Sequence, residues 1–282
     1  MEYARGRHGY RRARACRLVG LARSSYYHRP QRADDETLRA ALREKAAERR
    51  RFGYRRLLVL LRREGWPDNH KRIFRLYQEE RLQVRQRKRK RMCGGRRTPL
   101  ESAQRLNQRW SLDFVSDQLA DGRRIRLLTV VDDYSRECLA MEVDSSLTGE
   151  RVTRVLEQLG AQRGLPEGLR TDNGPEFSGM TLDRWAYARG VALQFIEPGK
   201  PMQNGYVESF NGKLRDECLN EHWFAGIDEA RRIVEAWRCD YNQQRPHSAL
   251  GNRTPQEFAA QPPRGLGEGK PTKELEQRVN PS

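Results

Sequence analysis

Apolar positions recur at helical spacing through the first third of the chain. Leu38, Ala41, Leu42 and Ala46 share one face over residues 35–51. Tyr54, Leu57, Leu58 and Leu61 follow at i, i+3, i+4 and i+7 over 53–64. Gly65-Trp66-Pro67 interrupts this second run. Asp68 or Asn69 supplies a cap for a third helix, which turns Ile73, Leu76 and Tyr77 inward. Two short helices joined by a Gly-containing turn fit the helix-turn-helix plan, whose second helix enters the DNA major groove. On that plan Asn69, His70, Lys71, Arg72 and Arg75 face DNA.

From Trp110 the apolar pattern changes to period two and to short continuous runs. It predicts strands over 110–117, 123–136 and 137–146, with a tight turn near Tyr134-Ser135-Arg136. An amphipathic helix follows, capped at Thr148 and closed at Gly164. Then come a short strand (168–174), a helix (180–190) and a fifth strand (191–198). A Gly/Pro loop over 199–205 precedes a helix over 206–220, and a last helix covers 228–242. A three-stranded meander followed by helix, strand, helix, strand, helix is a mixed α/β layer. The expected organisation is a basic N-terminal segment (1–33), a small helix-turn-helix domain (34–84), a basic linker (85–105), a mixed α/β core domain (106–260) and a disordered tail (261–282).

Charge sharpens this division. Residues 1–99 carry 31 Lys and Arg against 10 Asp and Glu, whereas 100–282 carry 24 against 28. A polycationic third of this size binds polyanions by releasing counterions, without sequence specificity. The run "RQRKRKRMCGGRR" at 85–97, with Lys88 and Lys90, is too like-charged to pack and reads as a linker that tracks phosphates. Mean hydropathy is −0.96 and no run of about 18 apolar residues exists, so no membrane span is expected. Five scattered cysteines without a C-x-x-C pair argue for reduced thiols and against a zinc finger. The expected location is the cytoplasm, on DNA.

Three acids carry the candidate chemistry. Asp113 interrupts an apolar strand between Leu112 and Phe114-Val115. Asp172 ends a strand where the chain turns through Asn173-Gly174-Pro175, and Glu208 opens a helix after Gly205. There are 58 residues between the first two and 35 between the second two. A carboxylate in an apolar strand is costly unless paired, and three acids brought together repel one another unless a divalent cation lies among them. Phosphoryl transfer needs positioning and charge stabilisation, which two ions about 4 Å apart supply together. Other acids compete for such a role. Asp117, Asp132, Asp133 and Asp144 lie in or beside strands, and Glu176 follows Asp172 by four residues. No Ser or Cys has a base and orienter that would make it a nucleophile.

Five segments carry a family resemblance: "WSLDFVSD" (110–117), "VVDDYSRE" (130–137), "TDNGPEF" (171–177), "PGKPMQNGYVESFNGKLRDE" (198–217) and "YNQQRPHSALG" (241–251). In this order they resemble the DDE integrase and transposase superfamily, and more closely the second reading frame of the IS-three insertion sequences. The resemblance runs from about Tyr54 to Phe258. It implies a ribonuclease-H-like core that cuts DNA at a transposon end and joins the freed 3′ end to a target. It assigns Asp113, Asp172 and Glu208 as the catalytic triad, binding two Mg2+ ions for which Mn2+ would substitute. It also places Arg215, on the Glu208 face of the helix, against DNA with Lys213 nearby. The implied partners are transposon-end and target DNA, further copies of the chain in a homo-oligomer, and an upstream-frame protein. That frame often carries a leucine zipper, and no heptad zipper is present here.

Overall fold

In the computed structural model the described residues are 6–7, 9–22, 25–26, 35–84, 102–174, 177, 179–197 and 204–261. Lys88 and Lys90, the linker run, Glu176 and the tail beyond 261 lie outside them. The chain forms two compact units, 1–44 and 45–282. In the first, helix α1 (Arg12–Leu18) buries Ala15 and Cys16. Helix α2 (Glu36–Glu48) begins there and buries Leu38 and Leu42.

The second unit starts with the helical pair that the apolar spacing predicts. Helix α3 (Tyr54–Arg63) buries Leu57, Leu58 and Leu61, and α4 (His70–Glu79) buries Ile73, Leu76 and Tyr77 against it. Between them the chain turns at Gly65, whose φ of +91° is one that a Cβ would strain. Asn69 is the α4 cap: its side chain accepts from the Lys71 N–H at 3.0 Å. Asp68 instead accepts from the Arg72 guanidinium at 2.7 Å.

A five-stranded mixed sheet follows. The strands are β1 (Arg109–Gln118), β2 (Arg124–Asp132), β3 (Cys138–Asp144), β4 (Gly168–Thr171) and β5 (Ala192–Phe195). Their order across the sheet is β3-β2-β1-β4-β5. The first three form an antiparallel meander, and β4 and β5 add in parallel beside β1. Helix α5 (Gly149–Arg163) connects β3 to β4, and α6 (Met180–Arg189) connects β4 to β5. Helix α7 (Gly205–Glu217), a 3-10 turn (Leu219–Glu221) and α8 (Ile227–Gln243) follow, then a second 3-10 turn (Ser248–Leu250) and α9 (Pro255–Ala259).

Helices cover both faces of the sheet, which is why β2 reads as a nearly unbroken apolar run. Side-chain alternation sorts the two cores. Trp110, Leu112, Leu128 and Val130 pack with α5 and α6. Val115, Ile125, Leu127 and Val131 pack with Phe210 and Leu214 of α7 and with α8. By the same alternation Asp113 and its cross-strand partner Thr129 point to the α7 side.

Much of the basic charge at 49–63 is spent inside the unit. Arg49 pairs with Asp240 at 2.8 Å, Arg51 with Glu221 at 3.0 Å, Arg56 with Glu217 at 3.5 Å and Arg63 with Glu257 at 2.9 Å. These arginines clamp residues 49–51 and helix α3 onto the core of the second unit rather than offering their charge outward. The expectation that the whole basic third faces a polyanion fails at these four positions.

Candidate active site

Strand pairing brings the first two acids together. In the parallel β1–β4 pair, Ser111 lies opposite Arg170. Continued two residues, that register sets Asp113 level with Asp172, one strand spacing away (about 4.8 Å between strand axes). Asp172 follows β4 directly, and its carboxylate accepts from the Gly174 N–H at 3.0 Å, holding the Asp-Asn-Gly turn. Glu208 lies exposed in the first turn of α7. One turn further on, Asn211 reaches down to the sheet and donates to Asp113 Oδ2 at 2.8 Å. The helix that carries the third acid is thus bonded to the first.

Asp113 sits in a small polar network. Its Oδ1 accepts from the Phe114 N–H at 2.8 Å. The Thr129 hydroxyl lies 3.1 Å from both the Asp113 carbonyl and Asn211 Oδ1, and donates to one of them at a time. Burial disfavours the Asp113 charge, and Asp172 and Glu208 add repulsion. Against the hydrogen bonds from Phe114 and Asn211, its pKa still rises to about 6. Desolvation also raises the pKa of Glu208. Among the described residues, no three His, Cys, Asp or Glu side chains are gathered tightly enough to hold a metal ion. The donor set nonetheless fits a hard divalent cation. It consists of carboxylate oxygens only, and it makes one carboxylate resist ionisation until positive charge arrives.

The competing acids are accounted for locally. Asp132 is fully buried and accepts from Tyr134 N, Ser135 N, Ser135 Oγ and Asn107 N. Asp133, also fully buried, pairs with Arg109 at 2.6 Å and accepts from the Ser111 hydroxyl at 2.6 Å. Both fix the β2–β3 turn to β1. Asp144 bonds Arg231 at 3.2 Å, and Asp117 accepts from its neighbour Gln118 N.

The two cations on α7 separate. Arg215 is exposed and donates to the Ser116 carbonyl at 3.2 Å, which keeps it beside β1 beyond Asp113. Lys213 turns away from β1. It donates to Ser209 at 3.1 Å, and burial together with Arg245, Arg56 and Arg136 lowers its pKa to about 8. On α4, the Arg72 and Arg75 side chains are engaged by Asp68 at 2.7 Å and Glu79 at 3.1 Å.

Two groups of functional residues are not evident from acid spacing. Asn211 and Thr129 position Asp113. The signal for Asn211 is its place three residues after Glu208, as a poor helix former between Phe210 and Leu214. The other group is the "YNQQRPH" segment. Arg245, buried to 2% exposure, donates to Glu217 at 2.6 and 2.7 Å. Asn242 bonds the Cys138 N–H and carbonyl at 2.9 and 2.8 Å. That segment therefore pins α8 and the chain after it to α7 and β3.

Sheet order, covering helices, and acids on β1, after β4 and at the start of α7 define the integrase-core class of the ribonuclease-H-like fold. Comparisons with known proteins agree. Residues 103–201 and 189–255 match family models described as integrase core domain, and 32–90 match an HTH-like domain. The chain is 53% identical over 88% of its length to the "Insertion element IS407 uncharacterized 31.7 kDa protein" of Burkholderia multivorans, covering 90% of that protein. It is 29% identical over 83% of its length to "Transposase InsD for insertion element IS2A/D/F/H/I/K" of Escherichia coli, covering 81%. The fold is similar to that of a chain in a simian T-cell lymphotropic virus intasome structure, with a TM-score of 0.53 and 17% identity, covering 79% of this chain and 77% of that one. This chain belongs to the integrase-core (DDE) transposases of insertion elements, enzymes of phosphoryl transfer on DNA.

Proposed function

We propose that Asp113, Asp172 and Glu208 are the catalytic triad and together hold the divalent cations of the reaction, Mg2+ with Mn2+ able to substitute. One observation carries this reading: adjacent parallel strands set Asp113 and Asp172 side by side, while Asn211, one turn from Glu208, grips Asp113. Two bound cations would supply charge neutralisation for the attacking and leaving oxygens of an in-line displacement. The chain's part is to aim the carboxylates. Asn211 and the Phe114 N–H fix both oxygens of Asp113, and the Gly174 N–H fixes one oxygen of Asp172. The substrates are a phosphodiester at the transposon end, attacked by water, and then a target phosphodiester, attacked by the freed 3′-hydroxyl.

Arg215, beside β1 and clear of the buried cation group, is the α7 residue suited to a neighbouring DNA phosphate. Residues 34–84 act as the DNA-reading module and 106–260 as the core. Further copies of this chain complete the working assembly on two ends, with an upstream-frame protein as a further partner. Among the described residues no helix is long and apolar enough to cross a membrane.

The test uses the full chain, a labelled duplex carrying the element's terminal repeat, and Mg2+. Asp113→Asn, Asp172→Asn and Glu208→Gln should each lower cleavage and joining at least about a hundredfold, since each removes a ligand worth several kcal/mol to the transition state. Binding of the duplex should persist. Near-wild-type cleavage by any variant removes that residue from the triad. Cleavage without joining by the wild type would make the enzyme a nuclease.

A further inference from the structure

Helix α4 presents an exposed strip that its ion-paired arginines, Arg72 and Arg75, do not occupy. At 100° per residue, His70, Phe74, Gln78 and Lys71 lie within about 100° of arc, a strip that runs from beside the buried Tyr77 round to the side away from the core. All four are exposed. The arginines that sequence alone sends to DNA lie to one side of this arc. Arg72 is engaged by Asp68 at 2.7 Å and Arg75 by Glu79 at 3.1 Å. Asn69 is occupied as the helix cap. The side chains of His70, Lys71 and Gln78 make no hydrogen bond or ion pair among the described residues.

At the centre of the arc stands Phe74, an apolar ring left 40% exposed. It does not hang free. The Tyr54 ring of α3 packs on it at 4.8 Å between centroids, tilted by 54°, and Tyr54 in turn meets Tyr77 at 6.1 Å. One side of the ring is thus held by the scaffold, and the rest faces out between a cation and an amide. A rigid, part-exposed apolar ring on the flank of a second helix has a clear counterpart in the major groove. Thymine is the base that offers a methyl group there.

We propose that α4 reads DNA through His70, Lys71, Phe74 and Gln78, and that Phe74 is a specificity determinant that packs on a thymine 5-methyl group in the transposon end. The inference rests on the reading of α3–α4 as the DNA-binding module and deepens it. Lys71 supplies a phosphate or guanine contact, and Gln78 has the donor and acceptor pair that suits adenine. The tilted contact with Tyr54 fixes the Phe74 ring before DNA arrives, so little side-chain freedom is lost on binding.

The experiment selects duplexes from a randomised pool with the full chain, then remakes an enriched duplex with deoxyuridine in place of thymidine. Uracil pairs as thymine does but lacks the methyl group. Wild-type affinity should fall about fourfold for each methyl that Phe74 covers, from ~0.8 kcal/mol per buried carbon. Phe74→Ala should bind the thymine duplex more weakly and no longer distinguish it from the uracil duplex. Phe74→Leu keeps an apolar side chain and should keep part of the preference, and melting curves establish that both variants fold. Equal wild-type affinity for the two duplexes overturns the proposal. So does a preference that survives in Phe74→Ala, because another residue would then be the reader. Failure to enrich any sequence sinks the DNA-reading role of α3–α4 and this inference with it, whereas enrichment without methyl dependence sinks this inference alone.

Discussion

Glu217 is the carboxylate that holds a group of buried cations together. It accepts both arms of Arg245, at 2.6 and 2.7 Å, and lies 3.5 Å from Arg56. Lys213 feels the same carboxylate. Arg245 is 2% exposed, so water does not replace a lost partner. Glu217→Gln keeps the shape and removes the charge, leaving a buried guanidinium beside two other cations. Breaking a buried pair from one side costs about 3–5 kcal/mol. At roughly 2–4 °C per kcal/mol for a domain of this size, the melting temperature should fall by about 6–20 °C. Arg245→Met should cost less, because Glu217 keeps Arg56 and Lys213 as partners. In the double variant the cost should be smaller than the sum by at least about 1 kcal/mol, since neither charge is then stranded. Urea and thermal melts of the four proteins measure this. A Glu217→Gln variant within about 1 kcal/mol of wild type, or strictly additive costs, would refute the account of this cluster.

Two further outcomes are expected. His247 is buried beside Arg245, and burial with the nearby cations holds its pKa down to about 2. Above its unfolded value of about 6.5 it contributes nothing to pH dependence. Below that value the unfolded chain takes a proton that the folded chain refuses, so stability falls by about 1.4 kcal/mol per pH unit. Asp113, raised to about 6, works in the opposite sense between about pH 6 and 4. The comparison is therefore wild type against His247→Gln, which should lose less stability between pH 6.5 and 5; identical profiles would contradict the burial argument. Asn211→Leu should reduce transposon-end cleavage about 10- to 100-fold with little change in duplex binding, because it frees the Asp113 carboxylate that Asn211 orients at 2.8 Å. Cleavage at the wild-type rate would show that Asn211 does not position the acid.

The sequence alone determined the element order and the identity of the candidate acids. Local rules suffice for these. Period-two runs marked β1 to β3, the 3.6-residue period marked α3, α4 and α5, and Thr148 and Gly164 bounded α5 as observed. An acid inside an apolar strand is conspicuous at Asp113 whatever surrounds it. Helix α7 ended earlier than its pattern predicts, at Glu217, where a 3-10 turn takes over. Helix ends depend on what the final carbonyls meet, and that is tertiary information.

Only the tertiary structure decided which charges face outward. Arg49, Arg51, Arg56 and Arg63 read as part of a polyanion-binding segment, yet each meets a carboxylate 161 to 194 positions along the chain. Lys213 and Arg215 sit two residues apart on one helix and part company, because α7 buries one side against the Arg245 cluster and leaves the other beside β1. The register of β4 against β1 brings Asp172 level with Asp113 across 58 intervening residues. Residue type and spacing record what a side chain can do. Its partner is set by packing between distant segments, which no local pattern encodes.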